Sequence, residues 1–186
     1  MPVNHLTLIS FLAASAMAGA AVAQDRPMTP VEAQLSAADG ASLGRVTLRE
    51  GPQGLLLTIE GEGWPEGWHG AHLHAVGSCE PPSFQSAGGH VNHPEATRPH
   101  GLLNWEGGPD FGDLQNVYAG PGGSARAEVY LARGHGETTA DMLSNANGLA
   151  LVIHANPDDH VTQPIGGAGD RIACAVLLPA GQASAD

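Results

Sequence analysis

The chain has 186 residues, only 14% of them charged and 4% aromatic, while 26 Gly and 14 Pro are abundant. That balance argues against a helix bundle and for turn-rich β structure in one domain. The formal net charge is -12 and all seven basic residues are Arg, which excludes nucleic acid or an acidic membrane as a partner but admits a small anion drawn by a few well-placed Arg and a metal.

In chain order, residues 1–23 carry an apolar run from Leu6 to Ala23 that ends in Ala21-Val22-Ala23. Small residues at that point fit a signal-peptidase site, so a signal peptide over 1–23 and an exported, periplasmic protein are expected. Residues 24–30, with Pro27 and Pro30, read as a flexible lead-in. The domain proper is expected over 31–180, with 181–186 as a tail.

Val31 to Ser36 and Gly44 to Glu50 read as a hairpin across the Asp39-Gly40 turn, followed by a strand over Leu55 to Ile59. Glu60 to Trp68 is a loop that delivers the chain to a strand beginning at His69. Residues 77–114 lack periodicity, and a loop this long must be tied down by something other than a core. Four of its members are candidate metal ligands, which is the economical explanation. Short strands follow over Gln115 to Ala119 and Ala125 to Leu131. An irregular connection from Ala132 to Asn147 has room for one helical turn over Thr138 to Leu143. Gly148 to His154 is apolar on both faces and therefore central. A second polar loop spans Asn156 to Asp170. The closing strand, Arg171 to Leu178, is expected to place Ile172, Cys174, Val176 and Leu178 on one side. About eight strands imply an all-β sandwich or flattened barrel.

The stretch His69-Gly-Ala-His-Leu-His organises the chemistry. Side chains two apart leave the same face of a strand, so His72 and His74 project together, which is half of a transition-metal site. His90 and His154 supply two further imidazoles of the borderline type that a cycling copper centre needs. A closed zinc site takes four ligands from His, Cys, Asp or Glu, and His90, His100, Asp110 and Asp113 lie within one loop. His90 can serve both sets through its two ring nitrogens. Cys79 and Cys174, two cysteines in an exported chain, read as one disulfide, with two buried thiols as the alternative.

These motifs, with Ser86-Ala-Gly-Gly-His90-Val-Asn92, Gly112-Asp113-Leu114, Leu151-Val-Ile-His154 and Gly167-Ala-Gly-Asp-Arg171-Ile-Ala-Cys174, resemble the copper–zinc superoxide dismutase family in its exported bacterial form. The resemblance covers roughly Val31 to Pro179 and implies an eight-stranded Greek-key barrel with two long functional loops. It implies copper on His72, His74, His90 and His154, and zinc on His90, His100, Asp113 and a fourth position that is normally His. Here that position is Asp110, the clearest departure, for which His93 is a possible substitute and Phe111 a plug of the vacated volume. By the same resemblance Asp158 links a copper histidine to a zinc histidine, Arg171 attracts superoxide beside the copper, and His69 ties a loop down from behind. His90 would release copper on reduction and carry the proton given to peroxide.

His135 and His160 are expected to be exposed, and Trp64, Trp68 and Trp105 to be local packing or surface cover. The implied activity is conversion of superoxide to O2 and hydrogen peroxide, by a monomer or homodimer. The alternatives are a non-enzymatic periplasmic copper-binding protein on the same scaffold, which a covered copper face would mark, and an interaction module with incidental histidines.

Overall fold

A computed structural model describes residues 1, 29–51, 53–92, 98–104, 107–132 and 146–181. Nine strands form one antiparallel sheet: β1 Val31–Ser36, β2 Ser42–Gly51, β3 Gly54–Gly61, β4 Gly67–His69, β5 Ala71–His74, β6 Val117–Ala119, β7 Ala125–Ala132, β8 Leu149–His154 and β9 Arg171–Leu178. Their spatial order is β4-β6-β7-β3-β2-β1-β9-β8-β5. The signal-peptide stretch, His93, Trp105, His135, the helical turn over 138–143 and the tail beyond Gly181 fall outside the described residues. Among the described residues no helix is long and apolar enough to cross a membrane.

The count is nine rather than eight because the expected His69 strand divides at Gly70. On one side of it β4 pairs with β6, and on the other β5 pairs with β8. These are the two ends of the strand order, so one residue of chain links opposite edges and nearly closes the barrel. Gly70 N–H donates to the Asn156 carbonyl at 2.8 Å, and its own carbonyl accepts from His154 N–H at 2.8 Å. A Cβ there would sit 3.0 Å from that of Ala168, so a side chain at the seam would press on its neighbour.

Alternation sets which face is buried. Val46 and Leu48 of β2, Leu55, Leu57 and Ile59 of β3, and Val129 and Leu131 of β7 line the interior. The run of leucines in β3 thus keeps its period of two. β8 is buried at every position: Leu149, Leu151 and Ile153 join the main core, while Ala150 and Val152 join a second cluster with Phe84, Ala87 and Cys174. In β9 Ala173, Ala175 and Leu177 join the main core, Ile172 and Leu178 are partly buried against it, and Cys174 joins the second cluster. Two alanines read as weak inward residues in a sequence. They suit a position where β9 lies between β1 and β8 and little side-chain volume is left. Trp64 is core rather than cover, 3% exposed, with Nε1 donating to the Leu43 carbonyl at 2.9 Å.

Candidate metal centre

Strand pairing places the first three histidines. His72 lies opposite Val152 and His74 opposite Ala150, and β8 itself ends in His154. One antiparallel pair therefore carries three imidazoles, and donor atoms of His72, His74 and His154 lie within 4.8 Å of one another. All three side chains are buried.

The long loop is stitched to this pair by its backbone as well as by its candidate ligands. Ala75 N–H donates to the Gly89 carbonyl and Val91 N–H to that of Leu73, both at 2.9 Å, so the chain around His90 runs alongside β5. Leu73 N–H donates to the Gly112 carbonyl at 2.9 Å and Gly112 N–H to the Val91 carbonyl at 2.8 Å. A Cβ on Gly112 would stand 2.4 Å from the Leu73 oxygen and 2.8 Å from the His90 Cβ. Glycine is required there, between Asp110 and Asp113. The Cys79–Cys174 disulfide, with Cα atoms 5.7 Å apart, pins the loop's start to β9.

His90 stacks on His72 with ring centroids 4.1 Å apart. Its Nδ1 faces Asp110 Oδ2 at 3.2 Å and Asp113 Oδ1 at 3.3 Å. His100 Nδ1 lies 2.5 Å from Asp113 Oδ1, whose other oxygen accepts from Gly101 N–H at 2.6 Å. Donor atoms of His72, His90, His100 and Asp113 form a second group within 4.8 Å. Asp110 stands beside that group and reaches it through His90.

Asp158 joins the two groups, with Oδ2 at 2.7 Å from His72 Nε2 and Oδ1 at 3.1 Å from His100 Nε2. Each contact fixes which nitrogen of its histidine is turned away from the carboxylate, the usual way an outer carboxylate orients a ligand ring. Arg171 donates to the Phe84 carbonyl at 2.7 Å and the Gly88 carbonyl at 2.8 Å. His69 places Nδ1 2.8 Å from the His154 carbonyl and Nε2 2.8 Å from that of Pro65, which is the tether expected behind the site.

The two halves differ in electrostatics. Burial lowers His72 to about 4, against the opposing Asp158 hydrogen bond. Burial likewise lowers His74 to about 2, aided by the nearby His90, and His154 to about 3, aided by His72. These rings are neutral and keep lone pairs free. Burial also disfavours charge on His100, yet hydrogen bonds to Asp113 and Asp158 outweigh it and push the ring up to about 10. His90 is raised in the same way by Asp110 and Asp113 against the effect of burial. Desolvation raises Asp110. Asp113 and Asp158 are held well below the carboxylate range, their histidine hydrogen bonds overcoming burial.

A test of whether metal ions fit comes from buried polar atoms that lack a hydrogen-bond partner. Among the described residues these are His72 Nδ1, His74 Nε2, His90 Nε2, His154 Nε2, Asp110 Oδ1 and His160 Nδ1. Leaving such an atom unmatched is costly. Four of the six are imidazole nitrogens suited to copper, and a fifth is a carboxylate oxygen suited to zinc. The donor set fits both ions.

Several residues outside the expected set hold the site in shape. Asn116 accepts from Asp158 N–H and donates to the Asp158 carbonyl, both at 2.8 Å. Gln163 makes the same two-bond clamp on His100, at 3.0 and 2.7 Å, and Asn92 makes it on Arg98, at 2.7 and 3.0 Å. An amide side chain in a polar loop carries no sequence signal of this role. His160 is not exposed as expected: its side chain is 19% exposed and its N–H donates to Asp158 Oδ1 at 2.6 Å. Its φ of 62° turns the backbone toward that carboxylate. Phe111 is partly buried against the main core.

A cavity of about 610 Å³ opens over the centre, lined by His74, His90, Arg98, His100, Asp110 and Arg171 among others. Residues 42–177 match the family model for copper/zinc superoxide dismutase. The chain is 50% identical over 147 residues to the Cu-Zn superoxide dismutase of Caulobacter vibrioides, covering 78% of this chain and 83% of that one. It is 40% identical over 149 residues to Cu-Zn superoxide dismutase 2 of Aquifex aeolicus, covering 78% and 84%. Among solved structures, a SOD-like protein of Bacillus subtilis matches with a TM-score of 0.64 at 32% identity, covering 79% of this chain and 97% of that one. The Cu/Zn superoxide dismutase of Brucella abortus also matches at 0.64, with 28% identity, covering 80% and 99%.

Proposed function

This chain belongs to the copper/zinc superoxide dismutase family, and from that membership we propose how its own residues divide the work. Two superoxide anions and two protons become O2 and hydrogen peroxide. The observation that carries the reading is that donor atoms of His72, His74 and His154 lie within 4.8 Å of one another with His90 stacked on His72, and that each of the four keeps a buried ring nitrogen without a partner. These four are the copper set. Zinc would be held by His90, His100, Asp110 and Asp113. Copper bound at the first set would supply one-electron redox chemistry.

Arg171 lines the cavity beside His74 and His90, where its charge concentrates the anion in a protein of net charge -12. His74 and His154 are kept neutral by burial and remain donors through the cycle. His90 holds the mobile proton at Nε2, the ring nitrogen turned away from the carboxylates, and passes it to peroxide leaving by the cavity. Asp158 keeps His72 and His100 in register, and a cation held among His90, His100, Asp110 and Asp113 would favour the deprotonated His90 ring. An open cavity over His74 and His90 supports turnover rather than copper storage. Export, with removal of residues 1–23, accords with the disulfide, which persists only in an oxidising compartment.

Metal analysis of the oxidised protein beside a superoxide decay assay tests this. One copper and one zinc per chain with rapid superoxide loss is expected. Copper-loaded protein inert toward superoxide overturns it in favour of copper binding alone.

A further inference from the structure

We infer that Asp110 makes the second site sort metals: its oxygen-rich donor set discriminates against copper and so directs copper to the four-imidazole site. The inference rests on the ligand assignment above and concerns what this chain's own departure from the family does. Both sites share His90, and both are built from buried groups a few ångströms apart. An ion entering from the common cavity meets the two sets side by side.

Asp110 is 5% exposed, its Oδ2 faces His90 Nδ1 at 3.2 Å, and its Oδ1 is buried without a partner. A buried carboxylate oxygen left bare beside His90 and a second carboxylate, Asp113, is built for a cation. With Asp113 it gives a set of two nitrogens and two oxygens whose formal charge of two minus balances a divalent ion. A third imidazole in its place would leave one plus.

Copper gains more than zinc does from each imidazole and loses more when carboxylate replaces it. Attraction by the extra negative charge, in contrast, acts on both divalent ions alike. The exchange of imidazole for carboxylate therefore lowers affinity for copper more than for zinc. The expected size is about tenfold in the zinc-to-copper preference of the second site. The first site, all nitrogen, is untouched by it.

The full-length protein, freed of metal, is loaded with two equivalents of Cu(II) and then titrated with Zn(II), with the electron paramagnetic resonance spin count as readout. Copper ions sharing the His90 ring couple magnetically and hide their spins, so displacement of the second copper by zinc restores the signal of one. In the natural chain that signal should return at a zinc concentration about tenfold lower than in Asp110→His. Asp110→Asn, which keeps the shape and loses the charge, should bind zinc at least tenfold more weakly in a chelator competition.

Equal zinc requirements in the natural chain and Asp110→His overturn the inference. So does unaltered zinc affinity in Asp110→Asn. Should Asp110→His fail to fold, the chelator competition on Asp110→Asn decides. A first equivalent of copper without a nitrogen-rich spectrum would instead overturn the ligand assignment beneath it, which separates the two failures.

Discussion

His74 and Arg171 share one acceptor: the Gly88 carbonyl takes His74 Nδ1–H at 2.8 Å and Arg171 Nη2–H at 2.8 Å. A proposed copper ligand and the cation proposed to attract substrate are thereby held at a fixed separation by a single backbone oxygen. The planar guanidinium also reaches Phe84, a two-point grip that an ammonium cannot reproduce.

Arg171→Lys should therefore lose more than charge conservation suggests. We expect superoxide turnover to fall about tenfold, with copper content unchanged. Arg98, at the cavity rim and clamped by Asn92, contributes charge alone. Arg98→Gln should slow turnover about twofold and flatten its dependence on ionic strength. Stopped-flow decay across a salt series distinguishes the two variants.

Asp158→Asn removes the carboxylate that both His72 and His100 face. Zinc affinity should drop about 10–100-fold, because His100 loses the partner that fixes its ring. Chelator-competition measurements of zinc on the purified variant check this, and an unchanged β-sheet circular dichroism spectrum shows that the fold survives.

The metal-free chain should be labile to mild acid. His72, His74 and His154 titrate in the folded state near 4, 2 and 3, below the ordinary 6.5. The unfolded chain thus takes up their protons first as pH falls below 6.5, and stability declines from there toward pH 4. With about three protons involved, the slope approaches about 4 kcal/mol per pH unit. His100 acts in the opposite sense: raised to about 10, it contributes fully below 6.5 and loses its effect as pH rises through 10. Asp113 and Asp158 are depressed, so their contribution is lost only in strong acid. Denaturant midpoints in chelator at pH 7, 6 and 5 should fall in that order.

Replacing Cys79 and Cys174 by Ser opens a crosslink between residues 95 apart in sequence. The loss should be about 2–5 kcal/mol of stability. Turnover should fall as well, because the released loop carries the Phe84 and Gly88 carbonyls that hold Arg171. Thermal unfolding and superoxide decay, each with and without reductant, provide the check.

The strands with strong alternation and the histidines at motif positions were legible from sequence because each announces itself locally. The inward face of β9 was not, since Ala173 and Ala175 become core only through the volume their neighbours leave. Trp64 lay in what reads as a loop, yet Gly61 and Leu43 give it a slot in the interior. Asn116, Gln163 and Asn92 act through backbone groups of residues that only the fold brings near. The division at Gly70 was hidden for a similar reason: the stretch from His69 to His74 reads as one extended segment and does not reveal a change of partner strand.

That division ties shape to cargo. β5 pairs with β8 on one side and with the loop around His90 and Gly112 on the other, and is joined to β4 by one residue without a side chain, so a transient parting of β5 from β8 would carry His72 and His74 away from His154 together. An ion seated among the three is then a rivet between β5 and β8, and the rate at which it escapes to a scavenger clocks how often that joint yawns.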